Sequence, residues 1–131
     1  LTALVLDAGA LIALDRNERA MWARLRAAAE ARDIVAVPTG VVAQTWRDGR
    51  RQALLARALM HCEEIVLDSA MARACGRLCA RVGTNDVIDA SVAIAAAQLS
   101  HHHRTVVATS DPNDIKALTA TLSDQVVVLT V

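Results

Sequence analysis

The sequence predicts an α/β fold, in which a short and mostly parallel central sheet is flanked by helices on both faces. Three observations carry this reading. Short runs of valine, isoleucine and leucine alternate with longer stretches of helical period, the pattern of strands joined by crossover helices. No repeat, low-complexity tract or linker breaks the alternation. The length of 131 residues is that of one domain, so a single domain over 1–131 is expected, with a core large enough to need neither disulfides nor structural metal.

Leu4-Val5-Leu6 reads as a buried strand running through Asp7-Ala8-Gly9 into a helix over Ala10–Leu14. Asn17 to Arg32 has helical periodicity, with Ala20, Leu25, Ala28 and Ala29 as its apolar stripe. Ile34–Val37 is a second strand, stopped by Pro38. Thr39 is placed to cap a helix over Val41–Arg47, Gly49 breaks it, and Arg51–Met60 forms the next. Ile65–Leu67 is expected as a third strand, with Ser69 capping a helix through Val82. After the turn at Gly83-Thr84-Asn85, Val87–Leu99 is strongly helical. Thr105–Thr109 is a fourth strand, Asn113–Thr121 a short helix and Val126–Val131 a last strand.

Composition excludes several functions. No apolar run approaches the ~20 residues of a membrane span, and the opening residues have no secretory pattern, so a soluble cytoplasmic chain is expected. The three cysteines show no pairing pattern, which fits a reducing compartment. The net charge is zero, so a polyanion would have to be met by local patches. Trp22 and Trp46 are the only aromatic residues, too few for a base-stacking platform. Any contact with RNA must run through phosphates.

The carboxylates are the informative groups. Ligands of open parallel sheets sit beyond the carboxyl ends of the strands. Asp7 follows the first strand and Asp111 the fourth, so both belong to that edge. Asp86 and Asp89 open the long helix three residues apart and share a face. If that helix starts at the same edge, four carboxylates converge and repel, and a hard divalent cation such as Mg²⁺ relieves the conflict. Such a centre suits phosphodiester cleavage. Local roles compete with this reading: Asp86 as a helix cap, Asp89 in the favourable first turn, and Asp111 in a turn before Pro112.

Leu4-Val5-Leu6-Asp7-Ala8-Gly9-Ala10-Leu11-Ile12-Ala13-Leu14 resembles the opening motif of PIN domains. Asp86-Val87-Ile88-Asp89-Ala90 is similar to that family's third acidic motif, and Val106-Val107-Ala108-Thr109-Ser110-Asp111-Pro112-Asn113-Asp114 to its closing one. The motifs come in the family's order and span nearly the whole chain. With Val37-Pro38 and Val41–Arg51 between them, they look most like the VapC toxins. The resemblance implies a PIN-like fold and a Mg²⁺- or Mn²⁺-dependent endoribonuclease that cuts RNA. It also implies a homodimer held in check by a cognate VapB-type antitoxin. Carried over, Asp7 and Asp89 would ligate the metal and Asp111 would complete the acidic cluster. Asp86 is a further candidate ligand, and Asp114 stands close enough to assist. The family usually has a glutamate where this chain has Gln44, which can coordinate or hydrogen-bond but adds no charge. The run Ser100–Arg104 lengthens the loop before the fourth strand, which leaves open whether Asp86 or Asp89 is the direct ligand.

Other residues are weighed against plainer roles. Arg47, Arg50 and Arg51 are candidates for RNA phosphates or a solvated helix end. His101–His103 suit a polar surface loop better than a metal site. Cys62, Cys75 and Cys79 lack zinc-site spacing and read as small buried hydrophobes. Trp46 fits the edge of the core as well as a contact with a base or an antitoxin. A competing function is a catalytically weakened PIN-like domain that acts mainly by binding, with Gln44 as its sign. A phosphatase or receiver with Asp7 as nucleophile fits poorly, because Gly9 stands where a second aspartate is needed and Lys116 falls in a helix.

Overall fold

The computed structural model describes residues 2–131. In chain order the elements are β1 (Thr2–Leu6), α1 (Ala8–Asp15), α2 (Arg19–Glu30), β2 (Ile34–Pro38), α3 (Thr39–Thr45) and α4 (Ala53–Leu59), followed by β3 (Glu63–Ile65), α5 (Ser69–Val82), α6 (Val87–Ser100), β4 (Arg104–Thr109), α7 (Pro112–Thr119) and β5 (Val126–Thr130). The strands form one five-stranded sheet in the order β3-β2-β1-β4-β5, parallel throughout. From β1 the chain winds outward through β2 and β3, then crosses back to β4 and β5. Right-handed crossovers put helices of the two halves on opposite faces. The reversal leaves a crevice between β1 and β4, at the carboxyl edge of the sheet.

Burial follows position in the sheet. Central β1 is covered on both faces, with Ala3, Leu4, Val5 and Leu6 all buried, as the continuous apolar run requires. Edge strand β5 has only half-buried and exposed residues. Helix α6 is buried nearly all round: Val92 and Ala96 join the main core, whereas Ala90, Ala93 and Ile94 pack with Cys75, Leu78, Cys79 and Leu118 of α5 and α7. Its run of alanines lets two layers approach it closely. No helix among the described residues is long and apolar enough to cross a membrane.

Several boundaries differ from the sequence reading, each for a local reason. The third strand is Glu63–Ile65 rather than Ile65–Leu67, pairing with Ala36–Pro38. The amide of Leu67 instead donates to Thr39 Oγ1 at 3.1 Å, so that hydroxyl ties a loop down rather than capping α3. Asp68, not Ser69, caps α5, its Oδ1 accepting from the Met71 amide at 2.8 Å. The expected helix over Arg51–Met60 shortens to Ala53–Leu59, because residues 46–52 fold around the buried Gln52 side chain. Its Oε1 accepts from the amides of Arg47 (2.7 Å) and Asp48 (2.9 Å), while its Nε2 donates to the Thr45 carbonyl at 2.8 Å.

Candidate active site

The crevice is built from the ends of β1 and β4 and the first turns of α6 and α7. Asp7 follows β1 and is 4% exposed. It caps α1 through Oδ1, which accepts from the Ala10 amide at 3.3 Å, and its Oδ2 accepts a short hydrogen bond from the Thr109 hydroxyl. Thr109 Oγ1 also accepts from the Asp111 amide at 2.9 Å. One hydroxyl thus ties the ends of the two central strands together. Gly9 lets α1 approach this junction: a Cβ there would lie 2.6 Å from Ser110 Cβ and 2.9 Å from the Ser110 amide nitrogen.

Carboxylate oxygens of Asp89, Asp111 and Asp114 lie within 4.8 Å of one another. Asp89 is half-buried in the first turn of α6, whereas Asp111 and Asp114 are exposed at the start of α7. Asp86 caps α6, its Oδ1 accepting from the Asp89 amide at 2.9 Å, and joins Asp89 and Asp114 in lining a small cleft of about 90 Å³. Asp7 is more deeply buried than Asp89, Asp111 and Asp114 and does not share their mutual ligand distance, and its oxygens are engaged by the backbone and Thr109. Asp114, expected only to assist, stands in the group itself; its place depends on how α7 is set against α6, which sequence spacing does not report.

The electrostatics are those of crowded anions. Burial raises the Asp89 carboxyl to about 7, aided by the neighbouring charges of Asp86, Asp111 and Asp7. Asp111 is raised chiefly by its carboxyl contact with Asp114. Burial raises Asp7 too, opposed by the hydrogen bonds from Thr109 and the surrounding amides. Among the described residues no lysine or arginine pairs with any of these groups; the one ion pair is Arg51–Asp48, at 3.8 Å. The positive ends of α6 and α7 offset only part of the repulsion. An all-oxygen donor set of unpaired carboxylates fits a hard divalent cation such as Mg²⁺.

The remaining candidates stand apart. Gln44 is exposed on α3, one turn after Gly40, whose missing side chain makes room for Ile88 of α6. Gln44 thus lies on the α3 face turned toward α6, but it shares no hydrogen bond with the carboxylates. The Arg47 guanidinium donates to the carbonyls of Ala43 (3.0 Å) and Trp46 (2.8 Å), closing its own helix end. Arg51 pairs with Asp48, and Arg50 is exposed. His101 and His102 are exposed in the loop before β4. Cys75 and Cys79 are buried free thiols and Cys62 a half-buried one, pushed up to about 11 by burial and Glu64. Trp46 is 39% exposed, beside an apolar groove with Val42, Leu59 and Met60.

Comparison with solved structures gives the fold an independent anchor. A chain in the crystal structure of VapBC2 from Rickettsia felis, bound to a DNA fragment from their promoter, is similar over 99% of both chains, with a TM-score of 0.67 and 16% identity. The architecture is PIN-like. No family model matches the sequence, and neither does any curated protein. At 16% identity the likeness is one of backbone fold alone.

Proposed function

We propose that this chain is a Mg²⁺- or Mn²⁺-dependent endoribonuclease and the toxin half of a toxin–antitoxin pair. The observation that carries the reading is the gathering of Asp89, Asp111 and Asp114 near buried Asp7, at the switch point and without a basic partner. Asp89, Asp111 and Asp114 would hold the ion, with Asp86 beside them. Once bound, it would supply an electrophile for a phosphate oxygen and a water of lowered pKa. The protein's own part is positioning. Asp7 orients Thr109, Thr109 fixes the backbone of Asp111, and the Asp86 cap holds the turn that carries Asp89.

The toxin–antitoxin context is supported by the VapBC2 complex in which the similar chain occurs. A VapB-type antitoxin would find in the acidic crevice a landing place for an arginine, which forms charge-assisted hydrogen bonds with carboxylates. A homodimer belongs to the same reading. Arg50 is the member of the Arg47, Arg50 and Arg51 group best placed to meet RNA phosphate, since the other two side chains are engaged locally.

The test is RNA cleavage by partner-free protein. Activity is expected with Mg²⁺ or Mn²⁺ and none in chelator, with Asp89→Asn and Asp111→Asn each abolishing it in a folded protein. Full activity in EDTA would sink the mechanism. A second reading rests on Gln44: a PIN-like domain whose catalysis has faded and which acts by binding. RNA binding without cleavage at saturating Mn²⁺ would favour it.

A further inference from the structure

The seam that carries the acidic crevice continues past it. Val82 of α5, Asp89 of α6 and Leu118 of α7 line the acidic cleft. A second cleft of about 260 Å³ follows on the same elements, lined by Arg77 and Arg81 of α5, Ile94 and Gln98 of α6, His101 at its C-cap and Leu122 just after α7. No carboxylate is among its lining residues. Arg77 and Arg81 are one helical turn apart, which sets their Cβ atoms ~5–6 Å apart on one face of α5, a spacing at which like charges repel. Among the described residues no hydrogen bond or ion pair engages either guanidinium, whereas neighbouring Arg73 donates to the Ser69 carbonyl at 3.2 Å. Arg81 also suits the carbonyl end of α5, but Arg77 stands mid-helix and gains nothing from it. The carbonyls at the end of α6, which would repel an anion, are occupied: those of Gln98 and Leu99 accept from the amides of His101 and His102.

We propose that this cleft holds backbone phosphates of the single-stranded RNA that the acidic crevice cuts, and so sets the strand's course along α6. The strand's role as substrate rests on the nuclease reading; its binding rests on the cleft's own charge. At the rise of an α-helix, Ile94 and Gln98 stand about 8 and about 14 Å beyond Asp89 along α6. One strand can therefore meet both sites: the carboxylates receive a phosphate only through a cation, and the guanidinium groups receive its neighbours without one. Guanidinium forks match phosphate oxygens bidentately and read no base, which suits a chain with two aromatic residues. The apolar floor of Ile94 and Leu122 lowers the local dielectric and strengthens that attraction.

The experiment is fluorescence anisotropy of a short labelled single-stranded RNA with the full chain in EDTA, where neither cleavage nor a bridging cation enters. The double variant Arg77→Gln/Arg81→Gln should lose about tenfold in affinity and flatten the log–log salt slope by about 1.4, the value for two phosphates at ~0.7 each on a single strand. Arg77→Lys/Arg81→Lys keeps the charge and should keep the slope; a slope lost there as well would mark a structural effect of the substitutions and overturn the assignment. With Mn²⁺, the glutamine variant should raise KM for RNA by about the same factor as its loss in affinity. Failure of the nuclease reading appears separately, as absent cleavage by wild type, and the arginine dependence in EDTA still decides the cleft. Unchanged affinity and slope in the glutamine variant, or no binding of RNA by wild type, overturns the proposal. So does an unmoved KM beside a weakened affinity, which would put the bound strand off the path of cleavage. A polyglutamate peptide that competes as well as unlabelled RNA of equal charge also overturns it, since the cleft would then seat an acidic protein segment.

Discussion

Thr109 is where the two central strand ends meet: its hydroxyl donates to Asp7 and accepts from the Asp111 amide. Thr109→Val keeps the shape but leaves a buried carboxylate oxygen and an amide without their partner. We expect a loss of about 1–3 kcal/mol of stability by denaturant titration, with Mn²⁺ affinity weakened by calorimetry. Unchanged metal affinity would show that the link does not shape the site. Asp89 gives a pH signature. Its carboxyl binds a proton more tightly in the folded protein (about 7) than in the unfolded chain (3.8), so the folded state holds more protons between those values. Stability of the metal-free protein should therefore fall as pH rises from about 4 to about 7, in the same direction as the raised Asp7 and Asp111 act. Melting in EDTA should occur at higher temperature at pH 4.5 than at 7.5, and Mg²⁺ should raise the value at 7.5; the opposite order in EDTA would remove the crowded-anion account. The placement of Asp7 after β1 and of Asp89 and Asp111 at helix starts was legible in the sequence, because a polar residue directly after a buried strand, or at the start of an apolar helix, stands out. The membership of Asp114 and the recessed place of Asp7 were not, since both depend on the approach of α7 to α6 and of Thr109 to β1.

At the scale of elements, the junction of α1 with the loop after β4 is the tightest fit described. Gly9 faces both the side chain and the backbone nitrogen of Ser110, so relief cannot come from one side chain swinging away. Gly9→Ala should cost about 1–3 kcal/mol, as overpacking does, and lower metal affinity by prising Asp7 from Thr109. Gly40→Ala, whose Cβ would meet the flexible tip of Ile88, should cost less; equal melting temperatures for the two variants would contradict this. The strands of the sheet interior were readable because continuous apolar runs mark two-sided burial, as in β1 and β2. The short edge strand β3 was misplaced by two residues, since it carries Glu63 and Glu64 outward and leaves the apolar Val66 in a loop, 66% exposed. Caps were misassigned where two candidates adjoin, as at Asp68 and Ser69. The segment around Gln52 escaped notice because one buried amide, not a periodic pattern, organises it.

For the molecule as a whole, the course of α6 through the middle of the fold has a consequence for how the centre moves. Elements that lack deep packing exchange their amide protons by small local openings, whereas those embedded between layers exchange only when the whole domain unfolds. α6 is gripped on one side by the sheet and on the other by α5 and α7. Its amides from Val92 to Ala97 should therefore be among the slowest to take up deuterium, at the rate set by global stability. Residues 46–51 are exposed and should exchange orders of magnitude faster. Mass-spectrometric exchange of the full chain reads both, and fast exchange across residues 92–97 would refute this. Asp89 stands one turn before this stretch, at the start of the same helix. If the proposed cation is taken up there, its capture and release should proceed at the pace of water exchange rather than of chain rearrangement.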